Sequence, residues 1–308
     1  MPFLQVLNPR KLATVLFDAD TYFNQGLAKC NLGDYKGAIS DYNQAIQLKP
    51  GLAEAYNNRG LAKFNLGDKQ GAMADYNQAI HIKPDYADAY YNRGLAKSDL
   101  GDKEGAISDY DQTIQIKLDY AAAYNNRGLV KDDLGDKEGA ISDYNQAIQI
   151  QPDYAYAYNN RGLAKSDLGD DKGAMFDYNQ AIQFKPDLPE AYNNRGNAKS
   201  NLGDKQGAIS DFNRAIHIKP DYAEAYYNRG NAKSNLGDNQ GAIFDYNQAI
   251  QFKPNFALAY YNRGVAKSNL GDKQGAIADY NQAAKLYSQQ NKMSDYQDAL
   301  ERVKKLEK

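Results

Sequence analysis

The sequence predicts an all-α repeat solenoid, and three observations support that prediction. A segment of 34 residues recurs eight times without an insertion. Every copy contains two stretches in which apolar residues follow the period of an amphipathic helix. Gly-Asp between the two stretches in every copy, and Lys-Pro-Asp after the second stretch in three copies, are typical helix stop and start signals. Because neither helix of a pair can bury its apolar face alone, neighbouring copies must stack on one another.

The repeats start at equivalent residues, which are defined here as position 1. They span 19–52, 53–86, 87–120, 121–154, 155–188, 189–222, 223–256 and 257–290. Residues 1–18 are predicted to form an N-terminal lead-in or cap. Residues 291–308 carry an apolar stripe that favours a C-terminal capping helix, with a dimerisation helix as the alternative.

The second repeat shows how each copy forms its helices. Gly67 is the natural C-terminal stop of a helix, and Asp68 is the natural N-cap of the next one. Pro84 cannot continue a helix, and Asp85 is expected to cap the helix that follows. Each repeat is therefore predicted to be a helix–turn–helix unit.

The conserved-looking pattern within the copies points to one family. The second repeat carries Tyr56 at position 4, Gly60 at position 8, Ala72 at position 20, Tyr76 at position 24, Ala79 at position 27 and Pro84 at position 32. This pattern resembles the tetratricopeptide repeat (TPR) family over residues 19–290. The resemblance implies a right-handed superhelix whose first helices line a concave groove. It also implies a scaffold that binds other proteins.

Some residues depart from the family pattern. The third repeat has Thr113 where Ala is expected and Leu118 where Pro is expected, so a longer or looser junction is expected there. Position 7 is Arg in seven repeats and position 23 is Asp in all eight, which predicts a recurring ion pair between the two helices. Lys at position 11 is the alternative partner of that Asp.

Position 6 is Asn in every repeat, although Asn is a mediocre helix former. The residues are Asn24, Asn58, Asn92, Asn126, Asn160, Asn194, Asn228 and Asn262. An amide side chain can bind the C=O and N–H of a peptide bond together, so the series predicts a ladder that holds an extended chain by its backbone. Two alternatives are that duplication copied one Asn eight times and that Asn bridges adjacent first helices.

Three other first-helix positions complete the predicted peptide-binding groove. Position 5 contributes Tyr91, Tyr227 and Tyr261, with packing against the adjacent helix as the alternative, and position 13 contributes Asp99, Asp133 and Asp167. Position 9 changes from Leu in the first five repeats to Asn197 and Asn231, which predicts a more polar later groove. Residues 87–188 hold 18 acidic and 11 basic residues, a net charge of −7. This excess favours a partner that is basic in its central part, or it is simply a solvated acidic surface.

Composition argues against several other functions. The chain has 37 Lys and Arg against 39 Asp and Glu, so it lacks the basic excess of a nucleic-acid-binding protein. Cys30 is the only cysteine, and His81 and His217 lie four repeats apart, so neither a disulfide framework nor a metal-ligand pair is predicted. No nucleotide-binding motif occurs, and neither a catalytic residue nor a cofactor is predicted. The TPR clamp for chaperone carboxylate tails is not expected, because positions 2 and 5 are never Lys.

No apolar run is long enough to span a membrane, and the apolar stretch LATVLF near the N-terminus is short for a signal peptide. A cytoplasmic location without membrane insertion is therefore expected. The leading hypothesis is a non-catalytic scaffold that binds an extended or disordered segment of a partner protein in the concave groove. The alternative is a structural protein that self-associates, which a concentration-dependent mass in solution would reveal.

Overall fold

The computed structural model describes residues 18–307, and within that range it contains seventeen α-helices and no strand. The helices are α1 (Ala19–Asn31), α2 (Tyr35–Leu48), α3 (Ala53–Asn65), α4 (Lys69–Ile82), α5 (Ala87–Asp99), α6 (Lys103–Ile116), α7 (Ala121–Asp133), α8 (Lys137–Ile150), α9 (Ala155–Asp167), α10 (Asp171–Phe184), α11 (Pro189–Asn201), α12 (Lys205–Ile218), α13 (Ala223–Asn235), α14 (Asn239–Phe252), α15 (Ala257–Asn269), α16 (Lys273–Gln289) and α17 (Met293–Leu306). Odd-numbered helices up to α15 are the first helices of the repeats, and even-numbered helices are the second. The predicted all-α repeat fold is confirmed.

The turn inside each repeat follows the Gly-Asp prediction. Gly67 adopts a φ of +85°, a left-handed conformation that strains any residue with a Cβ. Asp68 then caps α4, because its Oδ1 accepts a hydrogen bond from the Gly71 N–H at 2.9 Å. A Cβ on Gly71 would lie 2.1 Å from Asp68 Oδ2. A larger residue at position 19 would therefore require the Asp68 carboxylate to shift.

Two predictions about the junctions between repeats are wrong. Helix α5 begins at Ala87 with Tyr86 as its N-cap, so Asp85 lies outside the helix and does not cap it. The substitution at Leu118 does not lengthen its junction: four residues separate Ile116 from Ala121, as four separate Ile82 from Ala87. Helix α6 still ends at the residue equivalent to Ile82, because packing against neighbouring helices, rather than the proline alone, determines where the helix ends.

The described helices fall into two compact units, one ending at Val130 and the other beginning at Lys131. In both units the core is built from small residues around one large ring. In the first, Tyr76 packs with Ala72 of its own helix and Ala96 of the next repeat. In the second, Tyr246 packs with Ala242 and Ala266 in the same way.

The last repeat ends differently from the others. Position 32 is Ser288 rather than Pro, and α16 runs to Gln289, three residues longer than its counterparts. Asn291 then reverses the chain with a φ of +58°. Helix α17 packs its apolar stripe on α16, where Ala299 joins the cluster of Tyr287 and Val303 joins that of Tyr280. Residues 1–17, predicted as a lead-in or cap, lie outside the described residues.

Candidate protein-binding face

In both units neighbouring first helices lie in contact, as α3 does with α5 and as α9, α11, α13 and α15 do in succession. The side chains at positions 2, 5, 6, 9, 12 and 13 of these helices are here called the first-helix face. This face contains every residue predicted to bind a partner.

In six of the repeats a buried ion pair between Arg and Asp joins the two helices behind that face. Arg229 Nε donates to Asp245 Oδ2 at 3.0 Å and Nη2 donates to Oδ1 at 2.5 Å, while Lys233 Nζ lies 2.8 Å from Oδ2. Arg229 Nη1 also donates to Asn213 Oδ1, at 2.6 Å, on the second helix of the preceding repeat. The predicted pair is confirmed, and both proposed partners of the aspartate are used.

The same arrangement recurs along both units. The corresponding Arg–Asp pairs are Arg59–Asp75, Arg93–Asp109, Arg161–Asp177, Arg195–Asp211 and Arg263–Asp279. The first repeat has Gln25 at position 7, and there Lys29 Nζ alone meets Asp41, at 2.6 Å. In these six repeats one arginine thus connects three helices, which helps to set the spacing of the first-helix face.

Five of the position-6 asparagines bridge adjacent first helices, while Asn58 and Asn160 accept hydrogen bonds from Asn57 and Asn159 of their own helices. Asn92 Nδ2 donates to Asn57 Oδ1 of the preceding repeat at 3.0 Å, and Asn126 Nδ2 donates to the Tyr91 hydroxyl at 2.9 Å. In the second unit the same bonds join Asn194 to Asn159 at 3.1 Å, Asn228 to Asn193 at 3.0 Å and Asn262 to the Tyr227 hydroxyl at 3.0 Å. Asn24, in the first repeat, is exposed. The bridging alternative therefore describes what these amides do within the protein.

In the second unit the bridges join into a chain of amides. Asn228 donates to Asn193, which donates to Asn194 at 3.4 Å; Asn194 donates to Asn159, which donates to Asn160 at 3.4 Å. An amide side chain has two N–H donors and two lone pairs. Asn194 is half-buried and uses one donor and one lone pair here, so its second N–H and second lone pair remain for a partner.

The position-5 tyrosines pack between helices. The Tyr91 ring lies 6.0 Å from that of Tyr110 and 4.9 Å from that of Tyr120, and the Tyr227 ring lies 6.0 Å from Tyr246 and 4.8 Å from Phe256. These rings are half-buried in the contacts between helices. The packing alternative holds for them.

Tyr261 fills the same position in the last repeat. Its hydroxyl donates to Asp298 of α17, and its ring lies 5.4 Å from that of Tyr280. Burial, together with the hydrogen bond to Asp298, raises the pKa of Tyr261 to about 12. Tyr261 therefore joins α17 to the last repeat.

Two of the position-13 aspartates lie in ion pairs between repeats. Asp99 pairs with Lys69 at 2.6 Å, and Asp167 pairs with Lys137 at 2.6 Å; each lysine belongs to the preceding repeat. Asp133 is the exposed last residue of α7. The first two carboxylates are therefore already matched by positive charge, which sequence reasoning did not foresee.

Position 9 holds a contact that the sequence only hinted at. Asn231 Oδ1 accepts hydrogen bonds from Asn262 Nδ2 at 2.9 Å and from the Tyr246 hydroxyl at 2.8 Å. The change from Leu to Asn at this position was the available signal. One partner lies on α14 and the other on α15, so the repeat spacing alone did not identify them.

Within residues 18–307 no group of three or more His, Cys, Asp or Glu side chains is arranged to hold a metal ion. His81 and His217 are exposed, and the Cys30 Sγ accepts a hydrogen bond from the Tyr42 hydroxyl at 3.6 Å. Over the same range, no helix combines the length and the apolar character that crossing a membrane requires.

The fold and this face define a helical-repeat protein of the class that presents stacked helix pairs to partners. Comparison with family models then identifies the family. The TPR repeat model matches residues 26–67, 64–101, 133–169, 165–203, 202–237 and 235–271, and the tetratricopeptide repeat model matches residues 87–120 and 257–290. The chain belongs to the tetratricopeptide repeat family. A comparison with curated proteins found no match to the sequence.

Two solved structures share the fold. A tetratricopeptide repeat protein from Parabacteroides merdae ATCC 43184 is 20% identical, with 82% of this chain and 97% of that chain covered and a TM-score of 0.61. The APC/C Cut9–Hcn1 complex contains a chain that is 17% identical, with 92% of this chain and 54% of that chain covered and a TM-score of 0.69. YrrB, a TPR protein with an unusual peptide-binding site, is 22% identical, with 61% and 97% covered and a TM-score of 0.49.

Proposed function

We propose that this protein is a non-catalytic scaffold that binds extended segments of partner proteins along its first-helix face. The observation that supports the proposal most directly is the series of half-buried amides at position 6. In five of them a bridge to the preceding repeat holds the amide in one orientation, so little side-chain entropy is left to lose when a partner binds. An amide such as that of Asn194 retains one donor and one acceptor, which is the pair that a peptide bond requires.

The ladder and the bridges are therefore two roles of the same residues. A peptide lying across α9, α11 and α13 would extend the amide chain by hydrogen bonds to its backbone, with little dependence on its sequence. We further propose that a basic partner is favoured by long-range attraction to the acidic central repeats. Direct pairing with Asp99 or Asp167 would have to displace Lys69 or Lys137, so the preference is expected to weaken as salt is added.

The test selects peptides from a random library on the purified full chain and measures their affinity by fluorescence anisotropy. The binding variant combines Asn160→Ala, Asn194→Ala and Asn228→Ala. The matched control combines Gln146→Ala, Gln180→Ala and Gln248→Ala, which removes three amides from the second helices at position 26. We expect the binding variant to lose roughly tenfold or more in affinity, and the control to bind as the wild type does.

The bridging role of these residues requires a second measurement on the wild type. Hydrogen–deuterium exchange with a selected peptide should slow in α9, α11 and α13 and remain unchanged in α10, α12 and α14. Slowing confined to the second helices or to α17 would overturn the proposal. Sedimentation equilibrium tests the rival function, since a mass that rises with concentration, without any selected peptide, would favour self-association.

A further inference from the structure

A polar cavity opens on the first-helix face of the second unit. Its volume is about 300 Å³, and it is lined by Asn231, Ser234, Asn235, Tyr246, Asn262 and Val265. These residues come from α13, α14 and α15, so the cavity lies between the last two repeats. None of the six side chains carries a charge at neutral pH.

The hydrogen bonds around the cavity determine what its walls offer. Asn262 Nδ2 uses both hydrogens, one to the Tyr227 hydroxyl at 3.0 Å and one to Asn231 Oδ1 at 2.9 Å. Asn231 Oδ1 uses both lone pairs, because it also accepts from the Tyr246 hydroxyl at 2.8 Å. These hydrogen bonds, through Asn231 Oδ1 and Asn262 Nδ2, hold both amides in a fixed orientation.

The remaining atoms of the same two amides are only partly used. Asn231 also hydrogen-bonds to the Tyr227 hydroxyl, and its Nδ2 keeps one further hydrogen. Among residues 18–307, no side chain or backbone group hydrogen-bonds to Asn262 Oδ1. The cavity thus presents one N–H donor on one wall and a carbonyl acceptor on the other. A ligand group that fits must offer both an acceptor and a donor.

We propose that this cavity binds the side-chain carboxamide of a glutamine or asparagine in a peptide lying along the first-helix face. The ligand carbonyl oxygen accepts from Asn231 Nδ2, and the ligand NH₂ donates to Asn262 Oδ1. The proposal rests on the function proposed above and adds a sequence preference to it. A carboxylate is disfavoured because it would face the Asn262 carbonyl and meet no cation, and an ammonium group would meet no carboxylate.

The nearby charges do not alter this preference. Lys233 is paired with Asp245 at 2.8 Å, and Arg263 is paired with Asp279 at 2.5 Å, so neither cation is available to a carboxylate in the cavity. The cavity is therefore selective for a neutral polar group rather than for charge.

The chain offers a matched pair of variants. Asn231→Leu places in the seventh repeat the residue that the first five repeats carry at position 9, so the helix accommodates it. In the fifth repeat, Leu163 and a fully buried Tyr178 occur together at the corresponding positions. Asn197→Leu makes the same substitution one repeat earlier, at a residue that does not line the cavity.

The first experiment titrates propionamide, which is the glutamine side chain without its backbone, into ¹⁵N-labelled full chain. We expect the side-chain NH₂ resonance of Asn231 to shift saturably in the wild type and in Asn197→Leu. That resonance is absent in Asn231→Leu, where the backbone shifts of α13 and α15 should also disappear. Propionate, which has the same shape, should cause no shift. Equal shifts with propionate, or none with propionamide, would overturn the inference.

The second experiment uses the library-selected peptides and separates this inference from the proposed function. Replacing one Gln or Asn of a selected peptide by Glu or Asp should lower its affinity by roughly tenfold or more for the wild type, and much less for Asn231→Leu. Peptides that bind the first-helix face without such a preference would refute the cavity inference and leave the scaffold function standing. A propionamide shift without any peptide binding would support the cavity inference and refute the scaffold function.

Discussion

Asp245 is completely buried, and Arg229 meets its carboxylate with two hydrogen bonds, Nε to Oδ2 at 3.0 Å and Nη2 to Oδ1 at 2.5 Å. The paired groups belong to the two helices of one repeat. A buried pair contributes little net stability compared with an apolar pair of the same size, yet losing one partner strands a charge in the core. Because the pair recurs and adds little net stability, we infer that it fixes the position of one helix against the other.

The two halves of this pair are expected to differ in importance. In Arg229→Gln, Lys233 still neutralises Asp245, as Lys29 alone does for Asp41 beside Gln25 in the first repeat. We expect a loss of about 1–2 kcal/mol in the free energy of unfolding, from the charge-assisted hydrogen bonds. Asp245→Ala strands two cations and should cost about 3–5 kcal/mol. Urea unfolding followed by circular dichroism measures both, and equal losses would contradict this account.

A second prediction concerns the glycine at position 8, where the first helix of a repeat contacts the buried ring of the second helix. A Cβ on Gly230 would lie 2.7 Å from Cε1 of the buried Tyr246, whereas on Gly264 it would lie 3.0 Å from the same atom of Tyr280. Overpacking of this kind costs about 1–3 kcal/mol, and the better helix propensity of alanine returns up to about 1 kcal/mol. Gly230→Ala should therefore lower the urea midpoint, and Gly264→Ala should lower it less. A midpoint raised by Gly230→Ala would show that the helices separate without cost.

How much of the fold the sequence predicts depends on how local the signal is. The turn at Gly67 and Asp68 was predicted correctly because one residue sets the backbone conformation and the next caps the helix. The cap at Asp85 was predicted wrongly because the helix begins two residues later, at Ala87. At Leu118 the missing proline changed nothing, since tertiary packing overrides a weak local preference.

The candidate site was predictable in its residues but not in their roles. Eight asparagines at one position mark the first-helix face in the sequence. Their partners lie on a neighbouring helix, 35 residues away for Asn228 and Asn193, and vary between Asn and Tyr. Whether such an amide serves a neighbour or a ligand depends on the distance between helices, which the repeat pattern does not encode. For the same reason the repeat pattern does not predict the pairing of Lys137 with Asp167.

A third prediction concerns a core tyrosine whose hydroxyl is buried without a hydrogen bond. Tyr144 is fully buried, and its hydroxyl has no hydrogen-bond partner among the described residues. Phe212 occupies the equivalent place in the sixth repeat, so the ring alone fits this site. Tyr144→Phe should therefore raise the free energy of unfolding by about 1 kcal/mol, because an unsatisfied buried polar group is removed.

Tyr246→Phe is the control for that substitution. The Tyr246 hydroxyl donates to Asn231 Oδ1 at 2.8 Å, so removing it should lower the free energy of unfolding by about 0.5–1.5 kcal/mol. Differential scanning calorimetry compares the two variants. If both substitutions changed the melting temperature in the same direction, the presence of a hydrogen bond to the hydroxyl would not determine whether that hydroxyl stabilises the fold.

The last prediction is that the fold fails at alkaline pH. Burial raises the pKa of Tyr222 to about 12, and it raises the pKa values of Tyr178, Tyr246 and Tyr280 above their ordinary value of 10.0. In the unfolded chain these hydroxyls ionise near 10, so above that pH the unfolded state holds fewer protons than the folded state. The stability that the neutral hydroxyls contribute is thus complete below pH 10 and is lost as pH rises towards the folded pKa values. Each tyrosine removes about 1.4 kcal/mol per pH unit in that window.

Circular dichroism and tyrosinate absorbance, recorded together from neutral to alkaline pH, test this. Loss of helix should coincide with a cooperative ionisation of tyrosine, because the buried hydroxyls ionise only as the repeats unfold. The combined variant Tyr178→Phe, Tyr246→Phe and Tyr280→Phe should unfold at a higher pH than the wild type, since three groups that favour the unfolded state at high pH are gone, while Phe212 shows that the ring is accommodated. An alkaline midpoint that does not move in this variant would contradict the assignment of the sensitivity to the buried tyrosines.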